Sequence, residues 1–218
     1  MKFKMTVTID KKIYEHIPDF NVLAYNVCFE SVDKDNIEKA LSSLKVPYQL
    51  DEVTTIPKIK EVRDIYKKMG LDPSHTRCAQ EALIRRVIKG NMYQVSPIVD
   101  LGNIISVETL RSVCVADIDK INDIFITIGQ CGERIQAIKR DSINVCNMIV
   151  YKTTDLDSDD FIFGSTTSDS ITTAVTDTTT NYLIMIILFT KESNEEDTLF
   201  NLLNSYTKIK TIQKIEVI

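Results

Sequence analysis

The chain contains 218 residues, of which 44% are hydrophobic and 26% are charged, and these values are typical of one folded, soluble globular domain. Asp and Glu (31) outnumber Lys and Arg (26), and the net charge of −5 excludes a generally cationic surface of the kind that coats nucleic acid. Six Gly and five Pro residues are too few for a linker or a disordered chain.

The amino-terminal sequence and the cysteines predict a cytoplasmic protein with reduced thiols. The start MKFKMTVTIDKK lacks the apolar segment of a secretory signal, and the longest apolar run, residues 182–189, is far shorter than the roughly 20 residues that cross a bilayer. The cysteines form no Cys-x-x-Cys pair, so neither a disulfide framework nor a zinc site is expected; they are Cys28, Cys78, Cys114, Cys131 and Cys146. We therefore expect no membrane association, no bound metal and no cofactor.

Apolar spacing predicts the elements of the first half. Alternation from Phe3 to Ile9 predicts a strand, and the apolar run 20–29 predicts a second one. Residues 33–44 have the cap and spacing of a short helix, and 45–56 are expected to form a loop. Three helices are then predicted, two of them ended by Gly70 and Gly90: 57–69, 78–89 and 97–110.

Strands dominate the second half. Short apolar runs predict strands at 113–116, 124–128, 133–138 and 147–151, followed by a stretch rich in Ser and Thr at 165–180. A buried strand at 182–189, a helix at about 195–205 and a last strand at 212–218 complete the chain. Because strands and helices do not alternate regularly, the fold class is α+β. We expect one domain over 1–218, with amino-terminal elements (1–55), a motif-bearing core (56–180) and a closing strand-helix-strand unit (181–218).

The sequence contains no standard catalytic motif such as a Walker A loop or a Gly-x-Ser-x-Gly elbow. The basic cluster of the 78–89 helix, with Arg77 just before it, offers one local site for RNA phosphates; its members are Arg77, Arg85, Arg86 and Lys89. The alternative is a solvated face on which Arg86 pairs with a carboxylate.

Polar residues within two apolar or hydroxyl-rich segments provide ligand-binding candidates. In the 97–110 helix, Asp100 is expected to anchor Arg86 or a backbone amide, whereas Asn103 either packs internally or faces a ligand. The 165–180 stretch suits a pocket for a polar ligand, or else forms a surface edge; its two carboxylates are Asp169 and Asp177.

An ordered series of motifs resembles the B3/B4 domain of the phenylalanyl-tRNA synthetase beta subunit, and more closely the free-standing proteins built from that domain alone. The motifs are Tyr66-Lys-Lys-Met-Gly70-Leu-Asp-Pro-Ser74, Glu81-Ala-Leu-Ile-Arg-Arg86-Val-Ile-Lys-Gly90, Val99-Asp100-Leu-Gly-Asn103-Ile-Ile-Ser106, Asp117-Ile-Asp119-Lys-Ile121 and Gly132-Glu133. The resemblance extends over about 56–180. It implies a mixed α/β domain with a layered sheet core.

The resemblance also implies site residues, because this domain of the synthetase hydrolyses tRNA wrongly charged with tyrosine. Cys114 occupies the position of a pocket His, and Asp169 is the acid nearest to the position of a pocket Glu, so these two are the catalytic candidates. The implied substrate-binding residues are Asn103, Thr176 and Thr179. The expected RNA contacts are Arg85, Arg86 and Lys89.

Three functional hypotheses follow from these patterns. The first is a tRNA-related module that binds the aminoacylated end of tRNA and hydrolyses mischarged aminoacyl-tRNA. The second is a non-catalytic binder of an aromatic amino acid or a nucleoside-like molecule, and the third is a protein–protein module. The first two require that the helix segment 99–106 and the hydroxyl-rich stretch after Gly164 face each other across one hollow.

Overall fold

The computed structural model describes residues 5–138, 142–153 and 161–218. The helices in these ranges are α1 (Lys11–His16), α2 (Lys34–Ser43), α3 (Pro57–Lys68), α4 (Ala79–Ile88), α5 (Pro97–Thr109) and α6 (Glu195–Tyr206). The strands are β1 (Thr6–Ile9), β2 (Asn21–Val32), β3 (Ser112–Asp117), β4 (Ile124–Ile128), β5 (Arg134–Ile135), β6 (Ile143–Asn144), β7 (Ile149–Thr153), β8 (Phe161–Ser165), β9 (Asn181–Leu188), β10 (Thr207–Lys214) and β11 (Glu216–Val217).

Two sheets and a layer of helices stack on one another, which confirms the predicted α+β class. The first sheet has the order β11-β1-β4-β7-β8, the second has the order β10-β2-β9-β3, and β5 and β6 form a small hairpin. One apolar core fills the space between the two sheets. A second core lies between the other face of the second sheet and the helices α2, α5 and α6.

Strand β9 accounts for the long apolar run of the sequence. Its odd-numbered residues, such as Met185, pack between the two sheets, and its even-numbered residues, such as Ile186, pack against the helices. Successive side chains of a strand point to opposite faces, so a strand buried on both sides must be apolar throughout. The edge strand next to β9 is β3, which carries Cys114.

Most predicted elements are present, but several boundaries were wrong. Helix α1, which begins after the cap Asp10, and strand β8 were not predicted. The predicted strand 133–138 forms a ladder only at β5. The predicted last strand 212–218 is two strands, β10 in the second sheet and β11 in the first, with the buried Ile215 between them. Phe3, the first residue of the first predicted strand, lies outside the described residues.

The expectation of five reduced cysteines was wrong for one pair. Cys131 and Cys146 are joined by a disulfide with a Cα–Cα distance of 4.4 Å, whereas Cys28, Cys78 and Cys114 are free thiols. The two cysteines are 15 residues apart and are brought together by the hairpin β5–β6 that lies between them. Their spacing in the sequence alone therefore does not indicate that they pair. Among the helices that the structure describes, none has the length and apolar character required to cross a membrane.

Candidate functional site

A cleft opens between helix α4, helix α5 and the Ser/Thr-rich stretch that follows β8. Its outer part has a volume of about 670 Å³ and its inner part about 140 Å³. The two parts share wall residues from all three segments: Ala82, Arg86, Asn103, Thr167, Ser168 and Asp169. The predicted hollow between the 99–106 segment and the stretch after Gly164 is therefore present in the structure.

Close packing of α5 on β3 places Asn103 in the wall of this cleft. A Cβ atom at Gly102 would lie 2.4 Å from the Val115 Cγ2 atom, so only glycine allows the helix to approach the strand this closely. Asn103 is the next residue and lines both parts of the cleft. The opposite wall is tied to α4, because the first amide of that helix, Ala79 N, donates to the carbonyl oxygen of Thr166 at 2.9 Å.

The inner part of the cleft contains the two catalytic candidates side by side. The Cys114 thiol is buried at the edge of the second sheet and lies in the same pocket wall as the Asp169 carboxylate, which is partly exposed to the cleft. Gly164 makes room for this carboxylate, since a Cβ atom there would lie 3.3 Å from Asp169 Oδ1 and 2.7 Å from the Tyr151 ring. Ser112 and Ser165 add hydroxyl groups to the same wall.

The surroundings of Asp169 and Cys114 raise the pKa of both groups. Burial raises the pKa of Asp169 to about 7, although the neighbouring Cys114 thiol acts to lower it. Burial, followed by the nearby Asp169 charge, raises the pKa of the Cys114 thiol well above its ordinary value. The reactive form of cysteine is the thiolate, so Cys114 is a poor nucleophile at neutral pH. A carboxyl group with a pKa near 7 is well matched to proton transfer at neutral pH.

The mouth of the cleft is cationic although the whole chain is acidic. Arg77, Arg85, Arg86 and Lys89 all line the outer part, where Asp169 is the one carboxylate among the lining residues that the structure describes. Arg85 is partly neutralised, because its Nε donates to the buried Glu81 carboxylate at 3.0 Å. Such a local concentration of positive charge attracts anionic ligands.

Arg86 and Asp100 do not pair with each other. The Arg86 guanidinium carbon lies 5.1 Å from the centre of the Tyr93 ring, which is a cation–π contact. The buried Asp100 carboxylate accepts the Val95 amide at 3.0 and 3.3 Å, so the second of its two expected roles, anchoring a backbone amide, is the one observed. Arg86 therefore contacts an aromatic ring, and not a carboxylate as the alternative from the sequence had it.

The other two predicted substrate-binding residues lie elsewhere. Thr179 is buried at the far end of β3, where its hydroxyl donates to Asp117 Oδ2 at 3.0 Å, and the amide of the exposed Thr176 donates to the Thr179 hydroxyl. Asp117 is five residues along the strand from Ser112, which lines the inner pocket, and this separation corresponds to about 17 Å. In the structure these threonines brace the loop after β8, and they line neither part of the cleft.

Several residues of the cleft were not predicted from the sequence. Thr167 and Ser168 line both parts of the cleft next to Asp169, although Thr176 and Thr179 were the threonines expected to bind the substrate. Tyr93 also lines the cleft and lies outside the motifs of the resemblance. Ser112 lines the inner part and begins the stretch that carries Cys114, but it was not selected as a site residue. Within the three described ranges, no group of three or more His, Cys, Asp or Glu side chains is arranged to hold a metal ion.

Comparisons with known proteins agree with this architecture. No protein with a curated description matches the sequence. Among solved structures, an N-terminal fragment of the phenylalanyl-tRNA synthetase beta subunit from Pyrococcus horikoshii superposes with a TM-score of 0.50 at 12% identity, which is a likeness of fold. The match covers 100% of this chain and 52% of that fragment, so the chain spans about half the fragment's length. The family model of the B3/4 domain matches residues 61–202, which is well over half of the chain, and this protein therefore belongs to the B3/4 domain family.

Proposed function

We propose that this protein binds the aminoacylated 3′ end of a tRNA in the cleft and hydrolyses the ester between the amino acid and the terminal ribose. One observation carries the proposal. Asp169, whose pKa is raised by burial to about 7, lies where a cationic outer cavity meets a small inner pocket. If the ester of an aminoacyl-tRNA is held at this junction, Asp169 lies beside it as the base. The phosphates of the tRNA then lie in the outer cavity, and the amino acid side chain lies in the inner pocket.

The two parts of the cleft suit the two parts of such a substrate. The outer part has room for nucleotides, and Arg77, Arg86 and Lys89 supply charges for their phosphates. The inner part, about 140 Å³, is close to the roughly 150 Å³ of a protein cavity that binds benzene, so it matches the side chain of one amino acid. Its hydroxyl groups and the Asn103 amide can form hydrogen bonds with a polar side chain of the amino acid.

The proposed reaction uses Asp169 as a general base. Its carboxylate accepts a proton from a water molecule while the water oxygen forms a bond to the ester carbonyl carbon. The bond from that carbon to the ribose oxygen then breaks, and the ribose oxygen receives the proton. The products are a free amino acid and an uncharged tRNA. Cys114 has a positioning role in this scheme, because the buried thiol lies beside the carboxylate and acts to lower its pKa.

The proposal predicts that the purified protein releases the amino acid from at least one of a panel of aminoacyl-tRNAs, beginning with Tyr-tRNA(Phe), faster than buffer does.

The proposal also predicts that the triple variant Arg77→Ala/Arg86→Ala/Lys89→Ala binds tRNA more weakly. Each lost phosphate contact lowers the slope of log affinity against log salt by about 0.7 on single-stranded RNA, so a combined decrease of roughly 2 is expected. Filter binding at several salt concentrations measures this slope.

The matched control is Lys210→Ala, which removes an exposed lysine of β10 outside the cleft and should leave the slope unchanged. A decrease of about 0.7 in Lys210→Ala, one third of the decrease in the triple variant, would show that RNA binding depends on general charge and would contradict the proposed site. If no aminoacyl-tRNA of the panel is hydrolysed, the enzymatic part of the proposal is wrong.

A second candidate function is a non-catalytic binder of an aromatic amino acid or a nucleoside-like molecule. The observation that favours it is the protonated, buried Cys114, which leaves the inner pocket without an activated nucleophile. This candidate predicts a thermal shift with free amino acids or nucleosides in a protein that hydrolyses no ester. A ligand at 100 times its dissociation constant stabilises the folded state by about 2.7 kcal/mol, which a melting curve detects.

A further inference from the structure

An exposed apolar cluster lies at the mouth of the cleft beside the cationic residues. Tyr93, Val95 and Ile138 all line the outer part and retain 49%, 48% and 40% of their surface, respectively. Large side chains left exposed together in a concave site usually mark a surface that binds a ligand. The ligand must have an apolar face, and it must also be compatible with several positive charges.

The loop that carries Tyr93 is anchored close to this residue. Helix α4 ends at Ile88. Gly90, two residues later, has a φ of +64°, in the left-handed region that glycine adopts freely, and the chain then runs to Pro97 at the start of α5. The buried Asp100 carboxylate of α5 accepts the Val95 amide and so holds this loop against the helix. A ring that is already held in place loses little conformational freedom when a ligand stacks on it.

The chemistry around the ring matches an unpaired nucleobase. Arg86 lies over the Tyr93 ring at 5.1 Å, and Arg77 and Lys89 line the same cavity. An aromatic ring next to a cationic groove is the arrangement by which proteins bind single-stranded nucleic acid, with the bases stacked on the ring and the phosphates beside the cations. A base inside a duplex is covered on both faces by its neighbours and offers no face for such stacking.

We infer that Tyr93 is a stacking platform for one unpaired base of the RNA, adjacent to the ester. The inference deepens the proposed function and rests on it for the identity of the RNA as a tRNA end. Binding of the base does not itself require hydrolysis. Stacking of one base corresponds to about fivefold to 150-fold in affinity, and Tyr93 is expected to contribute a factor in this range.

The absence of Trp from the sequence provides a direct test. Tyr93→Trp places a single indole at the platform, and Tyr14→Trp places one at an exposed position on α1 (39% exposed) as the matched control. Both are titrated with the trinucleotide CCA, which ends every tRNA, and with a trinucleotide of equal charge whose 3′ base is missing. We expect CCA to quench the fluorescence of Tyr93→Trp alone, and the abasic trinucleotide to bind at least about fivefold more weakly.

Two further variants separate stacking from folding. Tyr93→Phe should bind CCA as tightly as the wild type does. Tyr93→Ala should bind CCA more weakly, by about the factor that removal of the 3′ base costs the wild type. Equal affinity for CCA and the abasic trinucleotide, unchanged in Tyr93→Ala, would overturn the platform even if the protein hydrolyses aminoacyl-tRNA. Quenching by CCA in a protein without deacylation activity would instead support the platform and contradict only the proposed hydrolysis.

Discussion

Asp169→Asn is expected to lower the rate of aminoacyl ester hydrolysis by about 100-fold to 10,000-fold, which is the usual contribution of a general base. The substitution keeps the size of the side chain but removes its ability to accept a proton. Because burial raises the pKa of Asp169 to about 7, and a base acts in its deprotonated form, the wild-type rate should rise with pH through about 7 and then level off. Release of radiolabelled amino acid between pH 5.5 and 8.5, corrected for hydrolysis in buffer, measures both effects.

The exposed Asp177 of the same hydroxyl-rich stretch supplies the matched control, since Asp177→Asn should leave the rate and the pH profile unchanged. Cys114→Ala should keep hydrolysis but move the midpoint of the profile to higher pH, because the thiol that lowers the Asp169 pKa is lost. Cys114→Ser, which retains a donor, should restore the midpoint. Complete loss of hydrolysis in a folded Cys114→Ala protein would identify the thiol as the nucleophile and contradict our assignment.

Glu195→Gln is expected to lower the free energy of unfolding by about 3–5 kcal/mol, the usual cost of breaking a buried ion pair. The Glu195 side chain is fully buried, and its Oε1 accepts Arg111 Nε at 2.9 Å and Lys58 Nζ at 2.7 Å. Arg111 is itself buried directly before Ser112, so this contact fixes the start of β3, which leads to Cys114. Urea unfolding at pH 7 measures the loss.

The same carboxylate predicts how stability changes with pH. Burial alone would raise the pKa of Glu195, but hydrogen bonds from Lys58, the Ser193 amide and Arg111 outweigh it and hold the pKa below the ordinary 4.5. A lowered folded pKa adds stability that is complete above about pH 4.5 and is lost as the pH falls through the folded value. The difference between wild type and Glu195→Gln should therefore shrink in acid.

A neighbouring acid of the same helix serves as the control for this prediction. Asp197 is exposed in the first turn of α6, and Asp197→Asn should cost less than about 1 kcal/mol through the helix dipole. A Glu195→Gln protein as stable as Asp197→Asn at pH 7 would mean that the buried contacts contribute little.

The sequence predicts those parts of the fold that depend on apolar periodicity. Buried helices such as α3 and α5 repeat their apolar residues every three or four positions, and β9 is apolar throughout because both of its faces are covered. Edge strands do not have this signal. Strand β10 is rich in lysine and largely exposed, so its pattern resembles a polar loop and its separation from β11 was missed.

The candidate site was predictable only in part, for reasons of geometry. Asn103 and Asp169 could be selected because they are polar residues in an apolar helix and a hydroxyl-rich stretch, and the structure places both in the cleft. Within that stretch, composition alone does not distinguish the hydroxyls that face the cleft, such as Thr167, from those that brace the loop, such as Thr179. Contacts such as Arg111–Glu195 join residues 84 apart and have no local pattern.

The location of ligand binding is the central claim, and it can be measured without any catalysis. An adenosine carrying an aminoacyl group through an amide in place of the ester cannot be hydrolysed and can be titrated into ¹⁵N-labelled protein while the amide resonances are followed. We predict that the largest chemical-shift changes occur at the junction of the two parts of the cleft, at Asn103, Thr167, Ser168 and Asp169. Saturable shifts centred on Thr176 and Thr179, with the junction residues unaffected, would contradict it.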